Sequence, residues 1–170
     1  MQRIHRDQAM EYEFDRRHKP KLRVAEEERF VVETEDAASG YIRSKDAAST
    51  LDTLPTLDFE PALSNPIAGP IYVTGAERGD LLEVTIHKIE VDSQGFTAFR
   101  PGRSPLGDSV RWQSVRGPFV HIIKHDPGPS GTTRDGTGWL NDTVSWSLQP
   151  MIGTIGVAPD REVETSAVGQ

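Results

Sequence analysis

Leu81-Leu82-Glu83-Val84-Thr85-Ile86-His87-Lys88-Ile89 is the stretch that decides the fold class. Leu82, Val84 and Ile86 alternate with Glu83, Thr85 and His87. That period of two gives a strand one apolar and one polar face, and predicts a half-buried strand. At Lys88 and Ile89 the phase flips, which predicts a bulge or the strand's exit from its sheet. Gly75-Ala76-Glu77-Arg78-Gly79-Asp80 leads into it as a turn, with Gly supplying positive φ and Asp bonding nearby backbone. The tripeptide Arg78-Gly79-Asp80 is read as part of that turn and not as an adhesion motif.

Similar patterns recur on both sides. Tyr12, Phe14, Leu22 and Val24 flank a His18-Lys19-Pro20 step where proline would break a helix, so two extended pieces are expected. Arg29 to Thr34 reads as a strand centred on Phe30-Val31-Val32, after a polar turn at Glu26 to Glu28. Phe119 to Ile123 is an apolar run between Gly117-Pro118 and Pro127-Gly128. Val144, Trp146 and Leu148 alternate again, and Met151 to Val157 sets Gly153 and Gly156 among small and branched residues. The 15 glycines and 12 prolines fall between these runs, which is punctuation for strands and turns. Ala37 to Leu63, Arg100 to Asp108 and Asp126 to Gly138 read as long loops, the last holding the turn pair Asp135-Gly136. The fold expected is mainly β, with long loops and little helix.

A chain of 170 residues fits one domain or one large half of a bigger one. Its apolar fraction of 35% is low for a self-sufficient globule, so loops or a partner must make up the deficit. A net charge of -7 opposes binding to nucleic acid or anionic membrane, both of which need a positive field. The absence of cysteine excludes a disulfide frame and a thiolate nucleophile. No apolar run reaches the ~20 residues of a membrane helix, and the N-terminus lacks the apolar core of a signal peptide, so a cytoplasmic protein is expected.

Few residues offer catalytic chemistry. No Gly-x-Ser-x-Gly elbow and no Ser-Ser-Lys arrangement is present, and Ser104, Ser114 and Ser130 have no evident base. There is no phosphate-binding loop and no dinucleotide fingerprint. His121 and His125 lie four apart, but on a strand that separation is about 13 Å, too far for one metal ion. His87 belongs to the polar face of its strand and is expected to be solvated. Trp146 is assigned to the core, with Trp112 and Trp139 left open between core and pocket. Glu33, Glu35 and Asp36 cluster at a strand end; such carboxylates can act as a general base or bind a divalent cation, or can simply be a polar strand end.

Asn65-Pro66-Ile67-Ala68-Gly69-Pro70-Ile71-Tyr72-Val73-Thr74, running on through Gly75 to Asp80, resembles the acetamidase/formamidase family of amide hydrolases. Met151-Ile152-Gly153-Thr154-Ile155-Gly156-Val157-Ala158-Pro159 is similar to a second family stretch. Weaker matches are Tyr12 to Asp15, Lys19 to Val24, and Glu33-Thr34-Glu35-Asp36-Ala37 with Gly40-Tyr41-Ile42, where the family has Gln in place of Tyr41. The resemblance runs from about Tyr12 to the last residues and corresponds to the N-terminal half of the family. It implies β-sandwich and barrel-like modules, with residues 1–170 as one N-terminal β region. It implies hydrolysis of the C–N bond of small linear amides such as formamide and acetamide, giving ammonia and a carboxylate. Glu33 and Asp36 are the residues expected to approach the active centre. A divalent metal, zinc or calcium, is one means of activating water and polarising the carbonyl. The family's His/Trp-Gly-Gly-Asn-x-Asp motif and its later acidic, His-containing motif do not occur here. The expected partner is therefore a polypeptide equivalent to the C-terminal half, in an oligomeric split enzyme. The alternatives are a truncated enzyme and a non-catalytic β module that binds a partner or small ligand.

Overall fold

The computed structural model describes residues 1–8, 10–50, 63, 65–99, 117–160 and 164–165. They form a mainly β architecture joined by long loops, and their helical content is confined to short 3-10 turns at Arg6–Gln8, Lys45–Thr50 and Thr133–Asp135. No described helix is long and apolar enough to cross a membrane. The chain divides into two compact units.

Unit 1 comprises Met1–Gly40, Pro55–Thr85 and Gly153–Gln170. Its strands are β1 (Gln2–Ile4), β2 (Glu13–Phe14), β3 (Leu22–Val24), β4 (Phe30–Val32), β5 (Ile71–Val73) and β10 (Glu164–Thr165). β1 pairs with β4 and β3 with β5, both parallel, while β10 pairs antiparallel with β2. Alternation sets the core: Leu22 and Val24 are buried with Arg23 exposed between them. Together with the fully buried Ile4 they pack against Phe30, Val32, Ala68, Ile71 and Val73. Each such aliphatic side chain contributes about 1.5–3 kcal/mol on full burial. On the opposite face the register places Arg23 beside Tyr72, and its guanidinium lies 4.3 Å from the ring centroid. The polar turn expected at Glu26 to Glu28 is present, closed by Glu28 N–H on Ala25 O (3.2 Å) and Ala25 N–H on Glu28 Oε2 (2.9 Å). The turn at Gly75 to Asp80 is also present. Glu77 N–H donates to Asp80 Oδ2 (2.8 Å), and Arg78 is paired with Asp160 (2.5 Å), which also holds Arg16 (3.0 Å).

Unit 2 comprises Tyr41–Leu54 and Ile86–Ile152. It contains a four-stranded antiparallel sheet in the order β6 (Gln94–Phe99), β7 (Phe119–Asp126), β8 (Thr137–Trp139) and β9 (Ser145–Ser147). β7 is the strand read from the apolar run at Phe119, extended as far as Asp126. Phe99 stacks on its cross-strand partner Phe119 with ring centroids 5.3 Å apart. Asp135-Gly136 does not form a two-residue hairpin. Thr133–Asp135 is a 3-10 turn, and Gly136 has an ordinary φ of -84° as the chain enters β8. The link closes instead through Gly128, whose N–H donates to Thr132 O (2.9 Å) and where a Cβ would stand 2.0 Å from Asp135 O.

Three expectations require correction. Leu81 to Ile89 belongs to no ladder, and both its apolar and its polar residues are exposed up to Lys88. The pattern is that of a half-buried strand, but no described strand pairs with it. Met151 to Val157 likewise stands outside the described sheets; its residues are exposed, though the Phe14 ring packs on Gly156, where a Cβ would lie 2.9 Å from it. Trp146 is 42% exposed because its strand is the sheet's edge; its ring covers Gly138, where a Cβ would lie 2.9 Å away. Arg100 to Asp108, Ser104, Trp112, Ser114 and, within Ala37 to Leu63, residues 51–62 lie outside the described residues.

Candidate functional site

Glu33 follows β4 directly, so the parallel register brings it alongside the residues after β1. Its N–H donates to Ile4 O (3.0 Å), and its Oε2 accepts the Arg6 N–H (3.0 Å). Its Oε1 accepts Arg3 Nη1 (2.5 Å), with His5 Nδ1 at 3.7 Å. The Arg6 backbone N–H, then the Arg3 guanidinium, hold the Glu33 carboxyl below the usual glutamate range. Both oxygens therefore have donors and the group is an anchored anion. Glu35 is 3.6 Å from Arg6 Nε.

Asp36 orders the turn that follows. Its Oδ1 accepts the Ala38 N–H (2.8 Å) and the Gly40 N–H (3.2 Å), and its carbonyl accepts the Ser39 N–H (2.8 Å). This is the local side-chain-to-backbone bonding for which aspartate is suited. Ser39, buried at φ 54°, exchanges a hydrogen bond with the Tyr12 hydroxyl (2.7 Å). Asn65 N–H donates to Ala37 O (3.1 Å), and Ile67 exchanges backbone bonds with Glu11 (2.7 and 3.2 Å). The Asn65 to Pro70 stretch thus stitches the acidic turn to the segment that carries Tyr12 and leads into β2.

That segment and the turn after β2 carry a second cluster. Glu13 and Asp15 are two apart in extended chain and share a face. A turn closed by His18 N–H on Asp15 O (3.2 Å) returns the imidazole to them. The ligand atoms of Glu13, Asp15 and His18 lie within 4.8 Å of one another. Asp15 is buried and accepts Arg17 N–H (2.8 Å) and Arg17 Nε (2.7 Å). The Arg17 side chain, followed by its backbone N–H, lowers the Asp15 pKa to about 2. His18 Nδ1 is shielded from solvent and makes no hydrogen bond, with Glu11 Oε2 3.5 Å away. Two carboxylates and an orphaned imidazole nitrogen are a donor set that could hold a divalent cation.

Sequence reasoning placed Glu33 and Asp36 in the site; the structure sets both in unit 1, each bound into backbone. It missed Glu13, Asp15 and His18. The signal was the Glu-x-Asp-x-x-His spacing ahead of Pro20, with an i, i+2 pair on a strand and a turn to bring the histidine back. His121 and His125 lie on β7 and bond separately, to Leu140 O and to Asp92 O (2.7 Å). His87 is exposed. The Trp139 indole N–H is buried without a hydrogen bond.

Residues 3–168 match the model of the Acetamidase/Formamidase family. No curated protein matches the chain. Among solved structures, an acetamidase from Bacillus halodurans superposes with a TM-score of 0.78 at 28% identity, over 96% of this chain and 48% of its own. A predicted acetamidase/formamidase from the thermophile Thermoanaerobacter tengcongensis gives 0.72 at 30% identity, over 97% and 48%. An acetamidase from Yersinia enterocolitica gives 0.63 at 24% identity, over 93% and 46%, and shares the fold. The chain spans about half the length of these relatives. With the family model matched along almost its whole length, the chain belongs to the acetamidase/formamidase family.

Proposed function

We propose that residues 1–170 form the N-terminal half of an amidohydrolase that cleaves the C–N bond of small linear amides of the formamide or acetamide kind. The observation that carries this reading is the family match over residues 3–168. In the reaction a water oxygen bonds to the amide carbon, the C–N bond breaks and the nitrogen leaves protonated as ammonia, with a carboxylate as the other product. Such chemistry needs an activated water, a polarised carbonyl and a proton donor to nitrogen. The remaining polar groups would come from the complementary C-terminal half.

In this reading Glu33 and Asp36 border the active centre. Glu33 fixes Arg3 and the Arg6 backbone, while Asp36 shapes the Ala37 to Gly40 turn. Glu13, Asp15 and His18 would hold the divalent cation. Zinc fits this set better than calcium, since calcium takes oxygen ligands and zinc accepts imidazole nitrogen with carboxylate. A bound zinc supplies Lewis acidity and a lowered water pKa. Both Asp15 oxygens already accept from Arg17, so Asp15 would share its carboxylate between Arg17 and the cation, while His18 Nδ1 is buried with no hydrogen bond.

The test is ammonia release from formamide and acetamide by the chain combined with a polypeptide equivalent to the C-terminal half of its relatives. Activity should appear in the combination and fall at least about tenfold with Asp36→Asn. Full turnover in both Glu33→Gln and Asp36→Asn would remove them from the site. Zinc binding by the chain itself, read by equilibrium dialysis, should be lost in His18→Ala; unchanged binding would remove the cluster. The engagement of both Glu33 oxygens favours one other reading, a non-catalytic β module. It would be preferred if the combination forms but releases no ammonia.

A further inference from the structure

The large apolar side chains left uncovered are concentrated in two segments outside the described sheets. From Leu81 to Lys88 every residue is exposed, with Leu81 at 98%, Val84 at 49% and Ile86 at 47%. Among the described residues, Leu81 to Ile89 forms no backbone hydrogen bond. Met151 to Ala158 is likewise exposed throughout and free of backbone bonds, with Met151 at 72% and Val157 at 68%. An extended segment with unbonded amides and an alternating apolar face is a template for strand addition, in which main-chain bonds give affinity and alternate side chains give specificity.

We infer that Leu81–Ile89 and Met151–Val157 are the edges on which the complementary C-terminal half adds strands. The inference rests on the half-enzyme reading above and names the surface that reading requires. Two observations select this occupant. The chain matches an acetamidase over nearly all its own length and only 48% of that protein's, so as much polypeptide again remains to complete the fold. The alternation in Leu82, Val84 and Ile86 is built for one dry and one wet face, and such a face is satisfied by a partner that covers a single side. Leu82, Val84 and Ile86 stay about half exposed, and apolar side chains left uncovered together mark an interaction site.

Amide hydrogen exchange tests this on the intact chain with and without a polypeptide equivalent to the C-terminal half of its relatives. Alternate amides of Leu81 to Lys88, and amides of Met151 to Val157, should slow by at least about tenfold in the complex, while those of β7 change little. Leu82→Lys together with Val84→Lys should weaken the complex by at least about tenfold. Both side chains are exposed and the backbone there is unbonded, so the variant chain keeps its fold, checked by unchanged exchange in β7. A complex that releases ammonia while both segments exchange as in the free chain would overturn the docking surface and leave the half-enzyme reading standing. No complex and no ammonia would overturn both. Protection in the chain alone that rises with its own concentration would make a second copy the occupant and overturn the inference.

Discussion

Leu22-Arg23-Val24 and Leu82-Glu83-Val84 share the same apolar-charged-apolar pattern and meet opposite fates. The first is β3, paired with β5, with Leu22 and Val24 buried against Ile4. The second has no described strand beside it and leaves Leu82 and Val84 about half exposed. The alternation specifies a face that needs covering. Whether it is covered depends on a strand distant in sequence, here Ile71–Val73 in the first case. The difference teaches that the missing burial at Leu82 and Val84 is a property of the partner set and not of the segment.

The largest effect that would sharpen this comparison lies in the core. Ile4→Ala should destabilise the chain by about 2–5 kcal/mol in denaturant unfolding. Val84→Ala in the chain alone should stay within about 0.5 kcal/mol of the parent, as an uncovered side chain has little packing to lose. Equal losses at the two positions would mean that Val84 is buried in solution and would break the comparison.

A smaller effect separates two glycines of unit 2. At Gly128 a Cβ would meet the Asp135 carbonyl at 2.0 Å, and the backbone must give way, so Gly128→Ala should cost about 1–3 kcal/mol. At Gly138 the obstacle is the Trp146 ring at 2.9 Å, on an exposed edge strand that can shift. Gly138→Ala should therefore cost less. The reverse order in thermal unfolding would show that the Trp146 edge is held as firmly as a core.

The smallest effect is acid sensitivity. Asp15 has its pKa depressed from 3.8 to about 2, so its stabilisation is fully present above 3.8 and is lost as pH falls through about 2. Glu33 shifts in the same direction, and its contribution fades as pH falls below the ordinary glutamate value. Asp15→Asn should flatten the acid limb of the stability profile between about pH 4 and 2 and lower stability at neutral pH, since the asparagine amide nitrogen cannot accept from Arg17. An unchanged acid limb would dissociate Asp15 from Arg17.

Much of the fold could be read from residues. Phe30–Val32, Leu22–Val24 and the run from Phe119 were legible because apolar residues and bounding Gly and Pro are local signals. The state of Leu81 to Ile89 was not, because pairing is non-local. Trp146 was misassigned because burial depends on a strand's place in its sheet, and β9 is an edge. The candidate site was legible in part. Glu33 and Asp36 stood out as clustered carboxylates, but their backbone partners, Arg6 and the Ala37 to Gly40 turn, depend on a parallel register and a local turn. The Glu13, Asp15 and His18 cluster stayed hidden because Pro20 drew the reading toward a break, whereas the turn at Asp15 to His18 is what gathers the ligands.

The central claim, that residues 1–170 supply one half of an amide hydrolase, is tested most directly by titration. Ammonia release from acetamide is followed as a polypeptide equivalent to the C-terminal half of its relatives is added to a fixed amount of the chain. The account predicts no release from either alone and a rate that climbs to a plateau at equimolar ratio. Full activity of the chain alone, or an inert equimolar complex, would contradict it.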